Sequence, residues 1–205
     1  DMMNHTINTI GRQCGSGGQE VGNRLAERLD IPLYDHNLIR MAAKELRISD
    51  EDATKVDETV LGRFLSAYAA GSLEYRLFVT SDESGKPLTD RVYEQQSAII
   101  KKLAEQGPGI FVGRCADYIL GDYSNCINTF IYAYKEDRVR RIMKLYKLDE
   151  KKAADKIKKT DRERRVYYES RTGREWGSID ANSMMFNVSL LGIDGAVDAL
   201  EAIYR

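Results

Sequence analysis

The sequence predicts an α/β domain in which a parallel sheet is covered by helices on both faces. Short apolar or β-branched runs alternate with longer stretches of helical periodicity, which is how strands buried on both sides read. Glycines, arginines and aspartates follow directly on those runs, and in a parallel α/β sheet ligands bind beyond the carboxyl ends of the strands. At 205 residues the chain suits one domain with room for an inserted segment.

TINTI (6–10) is the first strand, and it stops at Gly11. A glycine cluster follows, and from Gln19 onward Val21, Leu25, Ala26 and Leu29 recur at helical spacing until Asp30. IPLY (31–34) is the second strand and completes a strand, loop, helix, strand unit. HNLIRMAAKEL (36–46) reads as a helix behind Asp35, and Ser49 with the acidic residues after it opens another running to about Leu65. SDESGKPLTD (81–90) is rich in turn formers and predicts a surface loop. VYEQQSAIIKKLAEQ (92–106) carries Ile99, Ile100 and Leu103 on one side, and Gly107-Pro108-Gly109 stops it. IFV (110–112), CINTFIYA (126–133) and MMFNV (184–188) are the remaining strands. Two basic helical stretches joined near Leu148-Asp149 follow the fourth strand. A last helix, with Ile193, Val197, Leu200 and Tyr204 on one face, follows the fifth.

Charge is nearly balanced, with 31 Lys and Arg against 32 Asp and Glu, so nothing pulls the whole molecule toward nucleic acid or a membrane surface. Any basic site must be local. No apolar run reaches the length of a membrane span, and DMMNHT has neither the charge nor the apolar stretch of a signal peptide, so a cytoplasmic protein without a membrane partner is expected. Cys14, Cys115 and Cys126 are an odd number at unrelated spacings, which predicts reduced thiols rather than a disulfide framework or a zinc site. No protein metal site is read from the sequence, and no heptad pattern assigns an oligomeric state.

Gly15-Ser16-Gly17-Gly18 follows the first strand and opens a helix, where backbone amides and the helix dipole receive an anion. The same residues also serve an ordinary strand-to-helix turn. Asp35 follows the second strand and reads equally as a ligand-side carboxylate or a helix cap. Gly113-Arg114 follows the third, where a guanidinium offers bidentate contact to phosphate; the bland alternative is a surface salt bridge. From Lys135 to Arg165 there are 14 basic residues and 7 acidic ones, and a solvated pair of helices accounts for the lysines. DRERRVYYESRTGREW (161–176) interleaves arginine with Tyr167, Tyr168 and Trp176, a mix that clamps a nucleotide's phosphates and base or lines a single-stranded nucleic-acid surface. Without a wider basic face, nucleotides are the expected ligands and nucleic acid is not.

Taken in order, GSGGQEVGNRLAERLDIPLYD, GIFVGRCADYIL, FIYAYKEDRVRRI, TDRERRVYY and LLGIDGAVDAL resemble the cytidylate kinase-like family, a branch of the P-loop nucleoside monophosphate kinases, from about Thr6 to Ile203. The resemblance implies a P-loop kinase-type three-layer αβα fold in a single domain, 1–205. Its core would comprise 1–35, 92–148 and 177–205, with a helical monophosphate-binding insert at 36–91 and a lid at about 149–176. The implied reaction moves the γ-phosphoryl group of ATP, with Mg2+, to CMP or a related nucleotide. Residue by residue, the resemblance assigns Arg12, Gly15, Ser16, Gly17, Gly18, Gln19 and Glu20 to the ATP loop. It assigns Asp35, Arg40, Arg91, Gly113, Arg114 and Asp117 to the acceptor, and Asp161, Arg162, Arg164 and Arg165 to the lid, against the transferring group.

This sequence departs from that pattern in the loop. Aligned to G-x-x-x-x-G-K-[ST], the first glycine falls on Arg12, the lysine on Gly18 and the hydroxyl residue on Gln19, with Glu20 beyond it. The lysine ordinarily reaches the β and γ phosphates and the hydroxyl binds magnesium. Phosphoryl transfer asks mainly for positioning and charge neutralisation, so Arg12 or lid arginines are candidate replacements, an arginine finger being worth about 10³ to 10⁵ in rate. Glu20 reads either as a metal ligand or as an acidic residue favoured at a helix start. Two functions therefore stand side by side: a nucleoside monophosphate kinase-like enzyme, and a nucleotide-binding regulatory module without turnover.

Overall fold

The computed structural model describes residues 6–35 and 88–204. Five strands form one sheet: β1 (Ile7–Arg12), β2 (Leu33–Tyr34), β3 (Gly109–Val112), β4 (Cys126–Tyr132) and β5 (Met184–Asn187). Their order is β2-β3-β1-β4-β5 and every pair is parallel. The helices are α1 (Gly18–Leu29), α2 (Leu88–Gln106), the single turn α3 (Ala116–Ile119), α4 (Lys135–Tyr146), α5 (Glu150–Thr172) and α6 (Val188–Tyr204).

Side-chain alternation along the strands sets the layers. Ile7 and Phe111 point to the side occupied by Ile99, Ile100 and Ala104 of α2 and Leu120 after α3. Ile10, Ile110, Val112 and Ile131 point the other way, onto Val21 and Leu25 of α1 and Val197 and Leu200 of α6. Each of these large aliphatic or aromatic side chains contributes about 1.5–3 kcal/mol by leaving water. The result is the three-layer α/β architecture expected from the alternating runs.

Polar groups inside the sheet fix its register. Asn8 and Thr9 of β1 are buried; Asn8 Nδ2 donates to Thr129 Oγ1 at 3.0 Å and Thr9 Oγ1 donates to Asn128 Oδ1 at 2.7 Å. Slipping β1 against β4 by one residue would strand these groups, at roughly 1–3 kcal/mol for each one left unpaired.

The helix boundaries differ from the sequence reading in two places. α2 begins at Leu88, so the last three residues of the expected 81–90 loop form its first turn, with Asp90 in the position an acidic residue favours. α6 begins at Val188 and breaks at Gly192, where φ 70° and ψ 170° are not helical, so the helix read from Gly192 onward is its second part. The helices expected at 36–46 and from Ser49 to about Leu65, Arg40, and the insert as far as Pro87 lie outside the described residues.

Candidate functional site

The loop between β1 and α1 is held from both sides. Gln13 N–H extends the β1–β4 ladder by donating to the Ile131 carbonyl at 3.0 Å, and Gln13 Oε1 accepts from Ala133 N–H at 3.3 Å. Ser16 Oγ donates back to the Gln13 carbonyl at 2.8 Å, closing a tight turn. Gly17 then takes φ 86°, a left-handed conformation open to glycine, and as N-cap it places no side-chain oxygen on the first amides of α1. Those amides have no intrahelical partner, so the geometry suits an anion. At Gly18, where the lysine would stand, a Cβ would lie 2.4 Å from Arg12 Cβ. A side chain at the lysine position and the Arg12 side chain as it stands here therefore exclude each other.

A cleft of about 770 Å³ opens over this loop. Gly15 and Ser16 floor it, Arg140, Arg141 and Lys144 of α4 make one wall, and Val188 and Ile193 make an apolar wall opposite. Of these three cations Arg141 comes nearest the loop: its Cζ lies 3.1 Å from where a Gly17 Cβ would stand, and its Nη1 donates to Glu20 Oε2 at 2.9 Å. Neither Arg138 nor Arg141 was singled out from the sequence. Their spacing of three behind a buried strand was the available signal.

On the other side of the loop lies a cavity of only about 30 Å³, lined among others by Arg12, Arg114, Asp117, Phe130, Arg164 and Trp176. That is room for no more than a water or two. Gly113, Arg114 and Cys115 take φ of 71°, 61° and 56° in succession, so β3 ends in a sharp left-handed turn that carries two non-glycine residues. Arg114 is 4% exposed, which excludes the surface salt bridge the sequence left open. Asp117 accepts from Tyr168 Oη at 2.6 Å; burial pushes its carboxyl above the usual range, and burial also raises the Tyr168 phenol.

Arg164, Tyr167 and Tyr168 of α5 line one side of this cavity. Asp161, Arg164, Tyr168 and Arg171 are spaced three, four and three apart and so share a face. Asp161 Oδ1 accepts the Cys14 N–H at 2.7 Å while its Oδ2 pairs with Arg138 at 2.7 Å, and Arg164 donates to the Arg12 carbonyl at 3.0 Å. Arg171 pairs with Asp90 in the first turn of α2. Arg162 and Arg165 are exposed on other faces, Arg165 lying 6.0 Å from the Trp176 ring centre, so the structure brings only two of the four lid residues to the loop. Arg91 is half-buried in the first turn of α2.

Tyr167, Tyr168 and Trp176, the aromatic residues of 161–176, line the small cavity together with Arg12, Arg114 and Arg164. Tyr167 and Tyr168 are buried with Cys115 in the joint between α5 and the sheet, and Trp176 meets Phe130 edge-on at 5.4 Å. The helical period turns them inward, so they pack. Asp35 accepts from Gln19 Nε2 at 3.1 Å, which places the carboxylate at the end of β2 beside the residue that replaces the loop hydroxyl. Glu20 pairs with Arg24 as well as Arg141, in the first turn of α1. The three thiols are free, and burial pushes Cys14 up and Cys126 to about 12, which keeps both protonated.

Comparison with known proteins follows the same lines. No curated protein matches the chain. Among solved structures, an uncharacterized protein from Eubacterium ventriosum ATCC 27560 is 28% identical with a TM-score of 0.72, and the match covers 98% of each chain. A shikimate kinase from Bacteroides thetaiotaomicron is 15% identical with a TM-score of 0.50 over 97% of each chain. A gluconokinase from Sinorhizobium meliloti 1021 is 12% identical with a TM-score of 0.50, covering 97% of this chain and 93% of its own. These last two share the fold, that of the P-loop kinases. No helix among the described residues is long and apolar enough to cross a membrane. The model of the cytidylate kinase-like family matches residues 7–190, the whole sheet with its phosphate loop and α5, and the chain belongs to that family.

Proposed function

We propose that the protein is a nucleoside monophosphate kinase-like phosphotransferase that moves the γ-phosphoryl group of ATP to CMP or a related nucleotide. One observation carries the reading: two basic recesses flank a single phosphate loop, one wide and open, the other small and lined by Arg12, Arg114 and Arg164. In-line transfer needs donor and acceptor on opposite sides of the moving group. The wide cleft suits the donor, with loop amides and Arg141 for the phosphates and the apolar wall of Val188 and Ile193 for the base.

In this reading an acceptor phosphate oxygen forms the new bond to the γ-phosphorus as the bond to the β–γ bridging oxygen breaks, and ADP leaves with that electron pair. Arg114 and Arg164 neutralise the acceptor and the transferring group, and Arg12 lies beside them. Asp35, next to Gln19, is the carboxylate that would hold Mg2+ together with phosphate oxygens; a hard cation of that kind takes one or two carboxylates and neutralises developing charge. α5 must swing away to admit the acceptor, and its return would exclude water from the transfer.

A coupled assay with ATP, Mg2+ and each nucleoside monophosphate tests the proposal. Turnover that disappears in Arg114→Ala and Arg164→Ala is the expected result. The small volume of the acceptor cavity and the missing lysine favour a second reading, a regulatory module that binds nucleotide without turning it over. Nucleotide binding with no turnover for any acceptor would decide for it.

A further inference from the structure

The loop has lost its lysine, and the Arg141 guanidinium lies beside Gly17, one residue before that position, yet it is already engaged. Its Nη1 lies 2.9 Å from Glu20 Oε2, while the other carboxylate oxygen, Oε1, lies 2.6 Å from Arg24, and Arg24 in turn reaches Asp194 at 2.6 Å. Two guanidiniums and two carboxylates thus form a neutral chain across the first turn of α1. Glu20 is placed where the helix dipole favours negative charge, which is also where a bound polyphosphate would lie.

We propose that Glu20 is a resident counter-ion, a carboxylate that holds Arg141 at the loop and gives it up to an incoming polyphosphate. The inference rests on the reading of the wide cleft as a nucleotide site. The arginine and glutamate side chains are 30% and 39% exposed, so their pair is weak and its exchange easy, whereas a guanidinium on phosphate oxygens makes charge-assisted, bidentate bonds. Arg140 and Lys144 line the same cleft and Asp137 pairs with Arg140, so Arg141 is the cation of that wall that is tied to the loop helix. A freed Glu20 beside a polyphosphate adds repulsion, which Mg2+ relieves. Glu20 therefore makes binding depend on the cation without being its ligand.

Calorimetric titration with ADP, in EDTA and with Mg2+, tests this on the full chain, with thermal melting to show that each variant is folded. Glu20→Gln is expected to bind ADP about three- to fivefold more tightly than wild type in EDTA, the scale of one exposed ion pair, and to lose most of the gain that Mg2+ gives wild type. Arg141→Ala is expected to weaken binding about tenfold or more in both conditions. The double variant should bind no more tightly than Arg141→Ala, because the carboxylate acts through that guanidinium. Asp194→Asn, which removes an equal charge from the far end of the chain, should stay within about twofold of wild type.

Equal affinity of Glu20→Gln and wild type in EDTA would overturn the proposal and leave the nucleotide site standing. So would weakening confined to Mg2+, which would make Glu20 a metal ligand, and so would an equal gain in Asp194→Asn, which would make the effect one of overall charge. Absence of ADP binding in every form would overturn both this inference and the nucleotide reading.

Discussion

The cleft over Gly15 and Ser16 holds about 770 Å³ and is bordered by exposed Arg140 and Lys144, whereas the cavity beside Arg114 holds about 30 Å³ among buried arginine and aromatic side chains. Both are basic, but the physics of their charges differs. An exposed cation keeps its water and trades partners at little cost, so the wide cleft can take an anion by side-chain rearrangement alone. A buried guanidinium must find its partners within the protein, and the stripe of α5 beside the small cavity also satisfies backbone and side-chain groups around it. Entry there asks a helix to move.

The largest effect that could break this contrast is expected at Arg114. Arg114→Ala should lower turnover with the acceptor by about 10² to 10³, the scale of removing one preorganised donor, while ADP affinity by calorimetry stays within about twofold. A parallel fall in ADP affinity would mean the two recesses act as one site.

The loop between them supplies the next test. Gly18→Lys restores the usual side chain but drives it into Arg12 Cβ, and should lower stability by about 1–3 kcal/mol in denaturant titration. Adding Arg12→Gly should recover most of that loss. Recovery would show that the two departures are one packing solution.

The packing of α5 beside the small cavity can be loosened without touching its arginines. Tyr168→Phe removes the donor to Asp117 and leaves a buried acceptor, so a loss of about 1–2 kcal/mol is expected. Amide exchange should speed up in α5 while the amides of β1 and β4 keep their protection. Uniform loss of protection would argue that α5 and the sheet open together.

The smallest effect is in pH. Burial raises Asp117, so the folded protein keeps a proton that the unfolded chain has given up, and the stability this lends is complete below the ordinary carboxylate range and lost as pH rises through the raised value. In Asp117→Asn that limb should be flat when denaturation midpoints are followed from about pH 3 upward. Among the described residues that line the wide cleft there is no comparable buried acid, so a variant there should leave the limb in place.

Much of the fold was legible because its signals are local. β-branched and apolar runs marked all five strands, and Val21, Leu25, Val197 and Leu200 announced the helix faces that cover them. The single turn α3 was missed because four residues carry no period, and the start of α2 was placed late because Lys86-Pro87 reads as a turn whether or not a helix follows. At the site, the glycine loop and Gly113-Arg114 were visible from their places after strands. Arg138 and Arg141 were not, since on a basic helix an arginine facing a loop looks like its solvated neighbours. Tyr167 and Tyr168 were visible as aromatics among arginines, and the packed helix turns them toward Cys115 and the small cavity, a burial that no local spacing encodes.

By itself, then, the sequence determined the succession of strands and helices and the position of the phosphate loop, since side-chain period and backbone freedom act within a few residues. Only the tertiary structure decided which charge answers which. The strand order lays β1 against β4, and that carries Arg141 to Glu20, Asp161 to the Cys14 amide and Arg164 to the Arg12 carbonyl, across more than a hundred residues in each case. Such pairings depend on distance in space, and no spacing along the chain encodes it.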